Sequence, residues 1–113
     1  MKSFADNSFF LLFEEIVRRD KPNEATDRWV TAGVSWQHAR HSYQSADYGF
    51  AIETYEASSS SKGWTLIVVK EHWWAGRNGD IIRSAHWAKP LRGNRTSIIT
   101  WLRSRQREIE GKP

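Results

Sequence analysis

The sequence predicts an α+β domain: a three- or four-stranded antiparallel sheet with an N-terminal and a C-terminal helix packed on it. Three observations predict it. Asn78-Gly79 divides two runs dense in β-branched and aromatic residues, the strongest short-range hairpin signal, because a two-residue hairpin turn needs positive φ at its central positions. Residues 48–56 alternate, with Tyr48, Phe50 and Ile52 on one side and Ala51, Glu53 and Tyr55 on the other, as a half-buried strand does. Residues 8–19 and 95–109 instead carry apolar side chains three and four apart, the period of a helix.

Taken in order, residues 8–19 form the first helix. Asp6, Asn7 and Ser8 offer capping oxygens, and Phe9, Leu12, Phe13, Ile16 and Val17 make the apolar stripe. Arg18 and Arg19 suit the negative end of the helix dipole, and Lys21-Pro22 stops it. Residues 24–47 are ambiguous. Trp29, Ala32, Trp36, Ala39 and Tyr43 recur at helical spacing, while Val30, Ala32, Val34 and Trp36 alternate like a strand. The reading adopted is a short strand near 28–32, then a helix capped by Ser35 and running to about Ser45. After the strand at 48–56, the serine-rich residues 57–63 read as a flexible connection.

The hairpin at 64–89 sets the plan of the sheet. Its run Leu66-Ile67-Val68-Val69 is apolar on both sides, as in a strand covered on both faces. A loop of two or four residues places Leu66, Val68, Lys70, His72 and Trp74 on one face with Ile81, Arg83, Ala85, Trp87 and Lys89. Glu71, Trp73, Ser84 and His86 fall on the other. With a two-residue loop, Lys70 opposes Trp87 and Arg83 opposes Trp74, two cation–aromatic pairs. Pro90 to Gly93 then turns the chain, and Asn94 or Thr96 caps the last helix. Its sheet-facing side holds Ile98, Trp101, Leu102, Arg105 and Ile109. Arg95, Ile99, Arg103 and Arg107 follow an adjacent strip.

The chain has 113 residues and is read as one domain with a single core. It has no cysteine, which excludes disulfides, thiol nucleophiles and Cys-based zinc sites. The apolar run Phe9–Phe13 is too short for a signal or a membrane span, so the protein is expected to be cytoplasmic, with no membrane partner. The net charge of +4 is uneven. Residues 1–80 hold nine Lys/Arg against eleven Asp/Glu, whereas residues 81–113 hold eight against two. That asymmetry suggests an anionic partner, DNA or RNA first and an acidic protein second. Seven tryptophans exceed what a small core hides, so one or more is expected at the surface.

No catalytic, cofactor or metal motif stands out. His38 and His41 sit three apart, one helical face if the segment is helical, but no third ligand is specified. Glu71 beside His86 is the best acid–base pair, the basis of a small hydrolase or nuclease reading. The basic, Trp-rich hairpin face and the Arg-rich last helix carry the leading reading, non-catalytic nucleic-acid binding. Its expected contacts are Lys70, Trp74, Arg77, Arg83, Trp87, Lys89, Arg92, Arg95, Arg103 and Arg107. The alternative is a protein-interaction module or inhibitor that meets an acidic partner. In layout alone, three strands followed by a helix resembles AP2-type DNA readers, and a helix in front is similar to double-stranded-RNA-binding domains. The lysine cluster expected at the start of the last helix in the latter is absent.

Overall fold

A computed structural model describes residues 6–75 and 78–111. It contains α1 (Asn7–Asp20), β1 (Arg28–Thr31), β2 (Val34–Gln44), β3 (Tyr48–Ser59), β4 (Trp64–Ala75), β5 (Ile81–Arg92) and α2 (Arg95–Ile109). The strands form one antiparallel meander in the order β1-β2-β3-β4-β5. The expectation of three or four strands is therefore corrected to five.

The correction lies in residues 24–47. Ala32 and Gly33 have φ of 50° and 75°, and Thr31 pairs with Val34, which makes a two-residue hairpin turn. Alanine is strained at positive φ, so nothing in the sequence advertised this turn as Asn-Gly does. Beyond it, residues 34–44 are strand rather than a Ser35-capped helix. The deciding pattern is Val34, Trp36 and His38, buried at every second position. The serine-rich stretch is also shorter as a connection than expected. β3 runs through Ser59, which is itself buried, and Gly63 N donates to Ser59 O at 2.8 Å to close the turn.

Both helices lie on one face of the sheet. Asp6 caps α1 by accepting from Phe9 N at 2.9 Å, and Asn94 caps α2 by accepting from Ser97 N at 2.7 Å. Phe9, Phe10, Phe13 and Ile16 of α1 and Ile98, Trp101 and Leu102 of α2 meet Trp29, Trp36, Tyr55, Trp64, Leu66 and Val68 from the strands. Four of the seven tryptophans are thus core, and Trp29, Trp36 and Trp64 bury their indole N–H without a partner. Gly93 joins sheet to α2 at φ 80°, where a Cβ would lie 2.5 Å from Trp64 Cβ. Arg105 does not add to the exposed arginine row. It binds the nearly buried Asp20 carboxylate at the end of α1, with Glu108 on its other side. Among the described residues, no helix is long and apolar enough to cross a membrane.

One residue decides which side chains of β5 face where. Ala75 N donates to Asp80 O at 2.8 Å, the longer of the two loops considered, and Trp74 pairs with Ile81. The next pair is Trp73 with Arg83, so Ile82 is an extra residue, a β-bulge. Past it the parity of β5 is reversed relative to the unbulged expectation. Lys70 now opposes His86, Glu71 opposes Ala85 and Val69 opposes Trp87. A second irregularity at Leu91 sets Arg92 opposite Thr65.

Candidate nucleic-acid interface

The face away from the helices carries an aromatic row that crosses four strands. Tyr43 pairs with Phe50, Phe50 with Trp73, and Trp73 with Arg83. Ring centroids are 5.8 Å apart for Tyr43–Phe50 and 4.6 Å for Phe50–Trp73, and the Arg83 guanidinium lies 4.7 Å from the centre of the Trp73 ring. Tyr48 leans on Tyr43 at 5.7 Å, and both tyrosines are exposed. Such cross-strand ring contacts stabilise a sheet, each by roughly 0.2–1 kcal/mol, and here they also present π surface to solvent.

The rows behind it continue the surface. Ile52, Glu71 and Ala85 form one, Thr54, Val69 and Trp87 the next, and Glu56, Ile67 and Lys89 a third. Val69 is the one buried strand residue on this face among those described, sheltered by its neighbours rather than by a helix. Glu71 fixes the surroundings. Its carboxylate accepts from Trp87 Nε1 at 3.0 Å and from Trp73 Nε1 at 3.4 Å, with Arg83 at 3.9 Å. Arg83, Lys89 and Arg92 on β5 and Arg28 on the far strand β1 lie on this face against Glu56 and Glu71, so positive charge is in excess and greatest along the β5 edge.

The residues expected to form one site are divided among three surfaces. Arg83, Trp87, Lys89 and Arg92 share the open face. Lys70 and Trp74 point to the helix side, so both predicted cation–aromatic pairs are corrected. Lys70 lies 3.6 Å from Glu14 of α1, and Trp74 covers Gly49, where a Cβ would come within 2.5 Å of the indole. Arg95, Arg103 and Arg107 belong to the outer side of the helical layer, where Arg95 and Arg103 border a groove with Asp6 and Leu12. Arg77 lies outside the described residues.

The sequence missed Tyr43, Phe50 and Trp73 as interface residues, and alternation over 48–56 and 64–74 was the signal that held two of them.

The candidate chemistry is rearranged as well. Glu71 and His86 lie on opposite faces, so the acid–base pair is lost to the same bulge. His86 contacts Phe10 and His72 instead, and burial beside Lys70 lowers its pKa. Ser84 Oγ lies 3.3 Å from His72 Nδ1. His38 and His41, three apart on a strand rather than a helix, also point to opposite faces. Among the described residues no three His, Asp or Glu side chains gather as metal ligands. No family model, no curated protein and no solved structure matches this chain.

Proposed function

We propose that the protein binds single-stranded nucleic acid on the open face of its sheet, without catalysis. The observation that carries this reading is the row Tyr43–Phe50–Trp73–Arg83, continued by Trp87 and Lys89 on a face that neither helix covers. Unpaired bases stack on exposed rings at about 1–3 kcal/mol per base, whatever their identity, and Arg83, Lys89 and Arg92 supply phosphate contacts beside them. A duplex hides the faces of its bases, so the single strand is the better fit.

Fluorescence titration with single-stranded oligonucleotides tests it through the tryptophans. Trp73→Ala is expected to weaken binding by about tenfold to a hundredfold, as the loss of one stacked base implies. Arg83→Gln should lower affinity and flatten the salt dependence by about 0.7 in log–log slope, the counterion-release value for one single-strand phosphate. Arg103→Gln and Arg107→Gln should change little. Equal losses from the helix arginines, with Trp73→Ala inert, would move the site to the other side of the molecule.

The aliphatic side chains Ile52, Ile67 and Val69 among the rings favour a second reading, an acidic protein partner on the same face. Absence of oligonucleotide binding at low salt would favour it.

A further inference from the structure

On the opposite side of the sheet, where α1 ends, a cleft of about 610 Å³ opens above Glu53 and Tyr55. Four cations line it: Arg18 and Lys21 from the end of α1, Arg40 from β2 and Lys70 from β4. Its floor is a fixed polar network. His38, 3 % exposed, donates from Nε2 to Glu53 Oε2 at 2.9 Å and accepts from Lys21 Nζ at Nδ1, 3.0 Å away. Tyr55 donates to the same Glu53 oxygen at 2.9 Å and stacks on the imidazole at 4.1 Å. Both donors occupy Oε2 of Glu53, which remains a charged carboxylate on the floor beside the four cations.

The cations are not equally engaged. Arg18 is held by Glu15 at 2.6 Å, and Lys70 by Glu14 at 3.6 Å. Neither Lys21 nor Arg40 has a carboxylate within 4.0 Å among the described residues. Arg40 is directly opposite Glu53 in the β2–β3 ladder, yet its guanidinium turns to the Glu24 carbonyl oxygen at 3.2 Å. Lys21 Nζ donates to that same oxygen, also at 3.2 Å. Two like charges are thus gathered on one carbonyl, within the span of a single oxyanion, at the mouth of a cleft. An ammonium beside a guanidinium fork is the donor set that suits a phosphate group, which takes both charge and several hydrogen bonds.

We infer that this cleft is an oxyanion site that takes a phosphate group between Lys21 and Arg40. It is separate from the open face, and holds whether or not that face binds nucleic acid.

Inorganic phosphate, titrated into the full chain against sodium chloride of matched ionic strength, is the probe. Backbone amide resonances of Lys21, Asn23 and Glu24 and of residues 38–40 and 53–55 are expected to shift together, with a dissociation constant on the order of 1 mM. Arg40 is exposed, so Arg40→Gln should leave the fold intact by circular dichroism and weaken binding about tenfold, the loss of one charged hydrogen-bonding partner. Lys21→Gln should do the same. If that variant does not fold, because Lys21 Nζ also donates to the buried His38, Arg40→Gln alone decides. Shifts that map to the open face or to the α2 arginines overturn the inference. So does undiminished phosphate binding by Arg40→Gln, or no shift at about 20 mM phosphate, far above the expected constant.

Discussion

Trp73 and Trp74 are neighbours in the chain and belong to two different environments. Trp74 lies on the helix side, folded down over Gly49, in the layer whose deeper positions are sealed beneath α1 and α2. Trp73 stands on the open side between Phe50 and Arg83, with no helix above it. The same division runs along the whole sheet. On the helix side, side chains that leave water meet other side chains, and Lys70 is paired with Glu14 of α1. On the open side, aromatic and aliphatic groups meet only their cross-strand neighbours. An antiparallel sheet with one bare face is ordinarily polar on that face. Apolar residues kept there in a contiguous row, with cations along one edge, are what supports the proposal that a partner binds this face.

The largest expected effect tests the two faces at adjacent positions. Leu66→Ala on the helix side should cost about 2–5 kcal/mol, the range for emptying a packed leucine site, whereas Ile67→Ala should cost about 1 kcal/mol or less. Urea denaturation of the two variants measures the difference, and equal losses would mean that the open face is covered. Next comes Arg105→Gln, which strands the nearly buried Asp20 carboxylate and should destabilise by about 3 kcal/mol. Arg107→Gln, on the exposed strip, should stay within about 0.5 kcal/mol.

A smaller effect concerns pH. Burial lowers the pKa of His38 below its ordinary value of 6.5, despite the opposing pull of Glu53, while the Lys21 ammonium acts in the same direction as burial. The unfolded chain therefore takes up the proton first as pH falls. Stability is full above pH 6.5 and declines as pH drops through that value towards the folded pKa. His86 adds a loss of the same sign. The decline continues below pH 4.5, because hydrogen bonds from Tyr55 and His38 outweigh burial and hold the Glu53 carboxyl below its ordinary value. His38→Gln should flatten the upper part of the curve and shrink the lower part, where the Tyr55 hydrogen bond to Glu53 remains, as read from thermal midpoints at successive pH values. An unchanged curve would remove His38 from the balance.

The most specific effect concerns the bulge. Deleting Ile82 removes the bulge while leaving Trp74 opposite Ile81 and Trp73 opposite Arg83, so stability should change by only about 1 kcal/mol and Trp73 should keep its environment. Deleting Ala85, which lies within the regular ladder, should turn the β5 residues on one side of the gap over. A pairing without the bulge would make the Ile82 deletion turn β5 residues over as the Ala85 deletion does.

Much of the fold was legible before the structure. Both helices, their Asp6 and Asn94 caps and the hairpin centred on Asn78-Gly79 follow from signals that lie within a few residues of the feature they announce. β2 was hidden because its residues fit two periods at once and its turn uses Ala32 where Asn or Gly would have been recognised. The candidate interface was legible only in part. Arg83, Trp87 and Lys89 were chosen together and do share a surface, but Trp74 and Lys70 were placed with them by counting residues across a strand without its bulge.

The sequence by itself determined the two terminal helices and the turn at Asn78-Gly79, and that positive charge and tryptophan are concentrated towards its second half. The tertiary structure alone decided which tryptophan looks outward and which arginine meets a carboxylate. Helix caps and turns are local, stabilised by groups a few bonds away, whereas the face of a strand depends on pairing with a distant neighbour. One inserted residue, Ile82, reverses the side chains from Arg83 to Pro90.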